Sequence, residues 1–167
     1  MSILTLRLVK RWSTHMPMLI KTIQLTHGPV LELGAGVFST PLIHWLCAES
    51  RRYVVTYESD PQFFGFSRQF RSKSHKIKFI EDWTELNEPR MWSVVFIDHV
   101  TEHRARAALQ FKDNAMFVIL HDSEPERENT YHYSTVYPHY KYRYDWTFNY
   151  IWTTVVSNFD DLQRLSK

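Results

Sequence analysis

One cysteine, four glycines and no long apolar run define what this 167-residue chain is not. The single Cys47 excludes an intramolecular disulfide, removes the small cross-linked scaffolds, and fits a reducing compartment. No apolar stretch approaches the roughly 18 residues that a membrane span needs. The start, Met1 to Trp12, is broken by Arg7, Lys10 and Arg11 and lacks a small-residue cleavage site. It therefore reads as no signal peptide, and a cytoplasmic protein without a membrane partner is expected. A net charge of +2 is too slight to argue for a hold on a phosphate backbone. No internal repeat or low-complexity tract interrupts the chain.

What the chain does have is 44% hydrophobic and 16% aromatic content. That suits one globular domain burying roughly 70% of its unfolded surface. Residues 1–13 read as an apolar N-terminal extension and 14–160 as the core. In the extension Leu4, Leu6 and Leu8 alternate, whereas Leu4, Leu8 and Trp12 would share a helix face, so strand and helix both remain open.

The organising stretch is Val30-Leu31-Glu32-Leu33-Gly34-Ala35-Gly36-Val37-Phe38-Ser39-Thr40-Pro41. Four residues make a buried strand, and two glycines follow where backbone must turn sharply or lie close to a ligand. A helix then starts, with Ser39 or Thr40 as its cap and Pro41 in its first turn. Upstream, residues 14–27 form a helix between Pro17 and Gly28. Downstream, Leu42, Ile43, Leu46 and Cys47 give an apolar stripe, and Arg51-Arg52 close that helix at its negative pole. A second strand over 53–57 ends at Glu58, 22 positions beyond Gly36, with Ser59 beside it. Asp60-Pro61 opens the next helix, and a third strand over 77–80 runs into Glu81-Asp82-Trp83. The basic residues Arg68 to Lys78 read as a solvated face.

Strands over 93–97 and 115–120 end at Asp98-His99 and His121-Asp122, with a helix over 102–110 between them. Ser123 and Glu126 have capping-box spacing for one more helix. Five strand–helix alternations imply a parallel, doubly wound α/β sheet with right-handed connections. Ligands in such sheets bind beyond the carboxyl ends of the strands. Glu58, Asp82, Asp98, His99, His121 and Asp122 all fall there. From Tyr140 to Trp152 aromatic residues alternate with mostly polar ones, and Thr153 to Val156 continue as strand, which gives a C-terminal hairpin.

Glu32-Leu33-Gly34-Ala35-Gly36 followed by Ser39 at the end of a first strand resembles motif I of the class I S-adenosylmethionine-dependent methyltransferases. Ser39 stands where a dinucleotide fingerprint wants a third small Gly or Ala, which disfavours a nicotinamide-dependent oxidoreductase. The resemblance spans nearly the whole chain. It implies a three-layer Rossmann-like sheet of about seven strands, mostly parallel with an antiparallel C-terminal hairpin, and S-adenosylmethionine as cofactor. It places Gly34, Ala35, Gly36 and Ser39 against the cofactor, Glu32 near its methionine end, and Glu58 on the ribose with both oxygens free. Asp82 would meet the adenine amino group and Trp83 would offer a stacking surface, with Asp98 at the cofactor's flank.

The acceptor would meet the fourth and fifth strand tips. His99 or His121 can serve as general base, and Asp98 or Asp122 can orient the imidazole or touch the acceptor. Asp98, His121 and Asp122 can also hold a divalent cation, although Ser123 stands where cation-dependent O-methyltransferases carry an amide; no metal is assigned. The adenine and cytosine amino-methyltransferase motif is missing after the fourth strand, where Asp98-His99-Val100-Thr101 stands. No cysteine is placed for cytosine C5 chemistry. The resulting expectation is methyl transfer to oxygen or nitrogen of a small-molecule acceptor, with no nucleic acid. A cofactor-binding module without catalysis is the alternative, and a homodimer would pair through the N-terminal segment or the aromatic strands.

Overall fold

Val30–Leu33 forms β1, and all four residues are buried. It lies at the centre of a seven-stranded sheet with β2 (Val54–Glu58), β3 (His75–Phe79), β4 (Trp92–Ile97), β5 (Ala115–His121), β6 (Tyr142–Trp146) and β7 (Thr153–Ser157). The order is β3-β2-β1-β4-β5-β7-β6. The first five strands run parallel, and β7 pairs antiparallel with both β5 and β6. These features come from a computed structural model describing residues 10–148 and 150–166, with side chains from Trp12 onward. The expectations for residues 1–9, including a dimer contact through them, lie outside the described residues.

The helices are α1 (Met16–Gln24), α2 (Ser39–Ala48), α3 (Pro61–Ser67), α4 (Arg104–Gln110) and a single turn, α5 (Glu128–Tyr131). Two apolar layers sandwich the sheet. One joins Met18, Leu19 and Ile23 of α1 with Ile43 and Cys47 of α2 over Val30, Val54, Phe96 and Ile119. The other joins Ala107 and Ala108 of α4 with Trp83, Phe111, Tyr133 and Val136 over Leu31, Val55, Val95 and Leu120. Alternate residues of one strand thus serve opposite layers, as a sheet covered on both faces requires. Each fully buried aliphatic side chain contributes about 2 kcal/mol. The sheet ends in two edge strands. β3 exposes Lys76 and Lys78, and β6 exposes Tyr142 and Arg143.

Several local expectations shift by a residue or change partner. α2 begins at Ser39, so Phe38 is its cap residue and Thr40 turns inward to other work. Asp60 caps α3 as expected, accepting from the Gln62 and Phe63 amides at 2.7 and 3.0 Å. Arg51 and Arg52 close α2 through their backbone amides, on the Ala48 and Cys47 carbonyls at 3.1 and 3.0 Å, and the Arg52 side chain has a second task. It reaches across to the end of α1, donating to the carbonyls of Ile23, Thr26 and Gly28 at 2.6, 3.0 and 2.8 Å. Between β3 and β4 there is a 3₁₀ turn, Trp83–Glu85, where the alternation implied a helix. The Ser123 capping box also fails to form. Ser123 Oγ pairs with Thr154 Oγ1 at 2.8 Å, and Pro125 starts a 3₁₀ turn instead. The aromatic row breaks after Trp146: Tyr144 and Trp146 pack on the α1 side, while Phe148 and Tyr150 stand exposed in the connection to β7. No described helix is long and apolar enough to cross a membrane.

Candidate functional site

The chain leaves β1 toward β2 and β3 on one side, then crosses back to β4 on the other. That reversal opens a crevice beyond the carboxyl ends of β1 and β4, where open α/β sheets bind ligands. A cavity of about 340 Å³ lies there, walled by Ala35 to Phe38, Glu58, Asp98 to Val100, His121 and Asp122. His15, Phe63, Arg104 and Tyr131 complete its sides. Gly34 turns the chain at φ +92°, and a Cβ there would lie 2.4 Å from the Asp98 carbonyl oxygen. A Cβ on Gly36 would lie 2.7 Å from Ser39 Oγ. The fold itself therefore requires Gly34, whose neighbour is backbone; at Gly36 the close neighbour is a side-chain hydroxyl. Of the motif, Ala35 and Gly36 face the cavity, whereas Gly34 and the buried Ser39 do not line it.

Glu58 reaches the cavity from the tip of β2, but its oxygens are not free as expected. Oε2 accepts from the Ala35 amide at 2.6 Å, and Oε1 accepts from the Ser59 and Asp60 amides at 2.7 Å each. A carboxylate offers about four lone-pair positions, so three are spoken for. Burial raises its pKa, while those three amides pull the other way.

Glu32 is not at the cavity either. It is 0% exposed beneath the turn, its carboxylate accepting from Thr40 Oγ1 at 3.0 Å and Thr56 Oγ1 at 2.6 Å. Burial pushes its pKa up to about 7 against those hydroxyls. Thr40 Oγ1 in turn accepts from the Gly36 amide at 3.0 Å, which ties the turn to the strand. His75 Nε2 lies 2.8 Å from Thr56 Oγ1, and His75 Nδ1 lies 3.1 Å from His44 Nδ1. One set of tautomers lets each member donate to the next, from His44 inward to Glu32.

The expected adenine contacts are arranged differently. Asp82 is exposed and caps the 3₁₀ turn, accepting from the Thr84 amide at 2.7 Å. Trp83 is buried, and its indole N–H donates to Ser59 Oγ at 3.0 Å. Its ring stacks on His99 at 4.1 Å and 15°. Asp82, Trp83 and Ser59 thus stand outside the cavity; Trp83 props up the residue that does enter it, His99. Burial and the nearby Arg104 lower the His99 pKa to about 3.

At the tips of β4 and β5 the organising residue is Arg104, which is 7% exposed. Its guanidinium meets Asp98 Oδ1 at 2.9 Å and Asp122 Oδ2 at 3.0 Å, and its Nε donates to the His99 carbonyl at 2.6 Å. The space between the two carboxylates, where a shared cation would sit, is filled by this side chain. Asp122 holds φ +55°, a left-handed conformation that is uncommon outside glycine, asparagine and aspartate. Tyr131 Oη also donates to its Oδ2, at 3.1 Å. His121 is 3% exposed, with Nε2 2.9 Å from Thr14 Oγ1 and Nδ1 3.2 Å from Asp98 Oδ2. Burial works to lower its pKa, but Asp98 outweighs that and raises it. Asp98 is held well below the usual range by His121 and Arg104 despite its burial.

His15 and Arg104 escaped sequence reasoning. The available signal was polar residues on apolar stripes: His15 precedes Met18, Leu19 and Ile23, and Arg104 precedes Ala107, Ala108 and Phe111.

Sheet order, strand directions and crevice together give the chain the fold of class I S-adenosylmethionine-dependent methyltransferases. No family model matches the chain, and no curated protein does. Among solved structures, the human methyltransferase 10 domain containing protein aligns with a TM-score of 0.65 at 11% identity, over 96% of this chain and 88% of that one. The N-terminal domain of human METTL16 in complex with SAH aligns at 0.60 and 12% identity, over 96% and 76%. The METTL16 catalytic domain in complex with the MAT2A 3′UTR hairpin 1 aligns at 0.65 and 10%, over 93% and 72%. A Klebsiella pneumoniae protein assigned as an O-methyltransferase aligns at 0.58 and 14%, over 92% and 83%. The METTL16–hairpin complex overturns the expectation that excluded nucleic acid. The same fold sits on an RNA hairpin in that protein.

Proposed function

We propose that the chain is an S-adenosylmethionine-dependent methyltransferase acting on an oxygen or nitrogen atom presented at the tips of β4 and β5. The observation that carries this reading is the crevice itself. It runs between the Ala35–Gly36 backbone and Glu58 at one end and Asp98, His99 and His121 at the other, on a fold shared with methyltransferases. The residues present fit the cofactor. Ala35 and Gly36 offer bare backbone, and Glu58 keeps one lone pair for a ribose hydroxyl and gains a second by releasing the Ala35 amide. When bound, the cofactor supplies a methyl group on a positive sulfur for in-line displacement. The protein's share is to align the acceptor and shield the transfer from water. Among the tip residues no strong base stands ready: His121 faces Asp98 and Thr14, both aspartates are paired with Arg104, and the unpaired His99 has its pKa lowered to about 3 by burial and Arg104. This geometry favours an acceptor that needs little help losing a proton, and it also keeps the non-catalytic binding module as the second reading.

Thermal shifts with S-adenosylmethionine, S-adenosylhomocysteine and NAD test the cofactor. Stabilisation by the first two, weakened in Glu58→Gln, is the expected result. Stabilisation by NAD without the sulfur ligands would refute it. Transfer of labelled methyl to a panel holding small hydroxyl and amino compounds alongside RNA hairpins separates enzyme from module. Binding with no transfer to any of them points to the module.

A further inference from the structure

His15 is an imidazole without an occupation. It stands just before α1, 2% exposed, and neither ring nitrogen has a hydrogen-bond partner. Its ring packs tilted on Phe96 and edge-on to His121, with centroids 4.8 Å apart in both cases. Packing alone would be served as well by phenylalanine, and each buried unpaired polar atom costs about 1–3 kcal/mol. The missing partner is suggested by the neighbours. His121 Nδ1 lies 3.2 Å from Asp98 Oδ2 but off the line that a hydrogen bond needs, and it too has no hydrogen-bond partner. One ligand atom from each of His15, Asp98 and His121 falls within 4.8 Å of the others, and all three residues line the cavity.

We infer that His15, Asp98 and His121 bind one divalent first-row transition ion, with its open positions facing the cavity. Two imidazoles and one carboxylate are the donor set of such ions; Mg²⁺ and Ca²⁺ prefer oxygen alone. Bonds of about 2.0–2.2 Å in tetrahedral geometry place ligand atoms roughly 3.4 Å apart, so the set, which lies within 4.8 Å, closes by up to about 1.4 Å on loading. Outer contacts are already built. Thr14 Oγ1 takes the Nε2 side of His121, which leaves Nδ1 for the ion, and Arg104 holds the Asp98 oxygen that the ion does not use. This is a different place from the Asp98–Asp122 gap that Arg104 fills. Ion binding stands without the methyltransferase reading. What rests on that reading is the consequence: an acceptor hydroxyl or amine on the open position would have its proton loosened.

The test is calorimetric titration of the chelator-treated chain with Zn²⁺, Co²⁺ and Mg²⁺, with the visible spectrum of the Co²⁺ form as a second readout. One Zn²⁺ or Co²⁺ per chain, with Mg²⁺ much weaker, is expected. His15→Phe should lose about a hundredfold in affinity or more, the upper end of what even an outer-contact loss produces. Asp98→Asn serves as a second, isosteric variant, and the exposed His139→Ala as a control that keeps full affinity. Circular dichroism confirms that each variant is folded. Absence of stoichiometric Zn²⁺ and Co²⁺ binding, equal binding of Mg²⁺, or undiminished affinity in folded His15→Phe would overturn the site. The cofactor shifts described above are measured without added metal, so either idea can fail alone.

Discussion

Two buried polar clusters lie beneath the same rim of the sheet, and they are finished to different degrees. Around Glu32 the carboxylate, Thr40, Thr56 and His75 all find partners at 2.6–3.0 Å, and none of these residues lines the crevice. Around Asp98 the carboxylate meets Arg104 and His121, yet His15 keeps two idle nitrogens and His99 two more, and these residues line the crevice. A closed network is a strut, holding the glycine turn to β1 and β2. An open one carries a cost that folding alone does not recover, which is the mark of a place shaped for something that arrives later.

The contrast breaks most readily at Arg104. Arg104→Ala strands Asp98 and Asp122 together without their cation and should lower stability by about 4 kcal/mol, read from urea unfolding. A loss under about 1 kcal/mol would mean that the two carboxylates are already well solvated.

The strut is tested by pH. Glu32 titrates near 7 in the folded chain against an ordinary 4.5, so the folded state holds the extra proton between those values. The stability this contributes is present at pH 4 and is lost as pH rises through about 7. Its neighbours in the balance are Glu58 and, through Thr56, His75. The difference in stability between wild type and Glu32→Gln should therefore move by about 3 kcal/mol from pH 4 to pH 8, in the variant's favour. Parallel pH profiles would remove Glu32 from the account.

The smallest expected effect is the most telling. His15→Phe keeps the ring and discards two unpaired nitrogens, so metal-free stability should stay within about 0.5 kcal/mol or rise. A fall of 2 kcal/mol would show that the imidazole is structural after all.

What the sequence disclosed and what it hid follow from the range of the forces involved. Val30 to Leu33, the glycine turn and Asp60-Pro61 are local signals, and each stands within a residue of its expected place. The parallel strands followed from counting alternations, and the hairpin from the period-two pattern after Tyr140. Hidden were relations across the chain. His15 meets a residue 106 positions away, the Arg52 side chain fastens α1 as well as the helix it ends, and Ser123 prefers Thr154 to its own capping box. Glu32 and Glu58 were placed on the right strands, yet neither oxygen count was readable, because backbone amides and threonine hydroxyls claim them only after the sheet forms.

The ammonium groups along β3 have a bearing on life in a crowded solution. Any foreign chain adding itself to that margin would have to strip water from Lys76 and Lys78, which makes continued growth of the sheet costly. On the far margin Arg143, locked to Asp145 at 2.8 Å, sets the same toll. A layer with seven rungs thereby remains at seven.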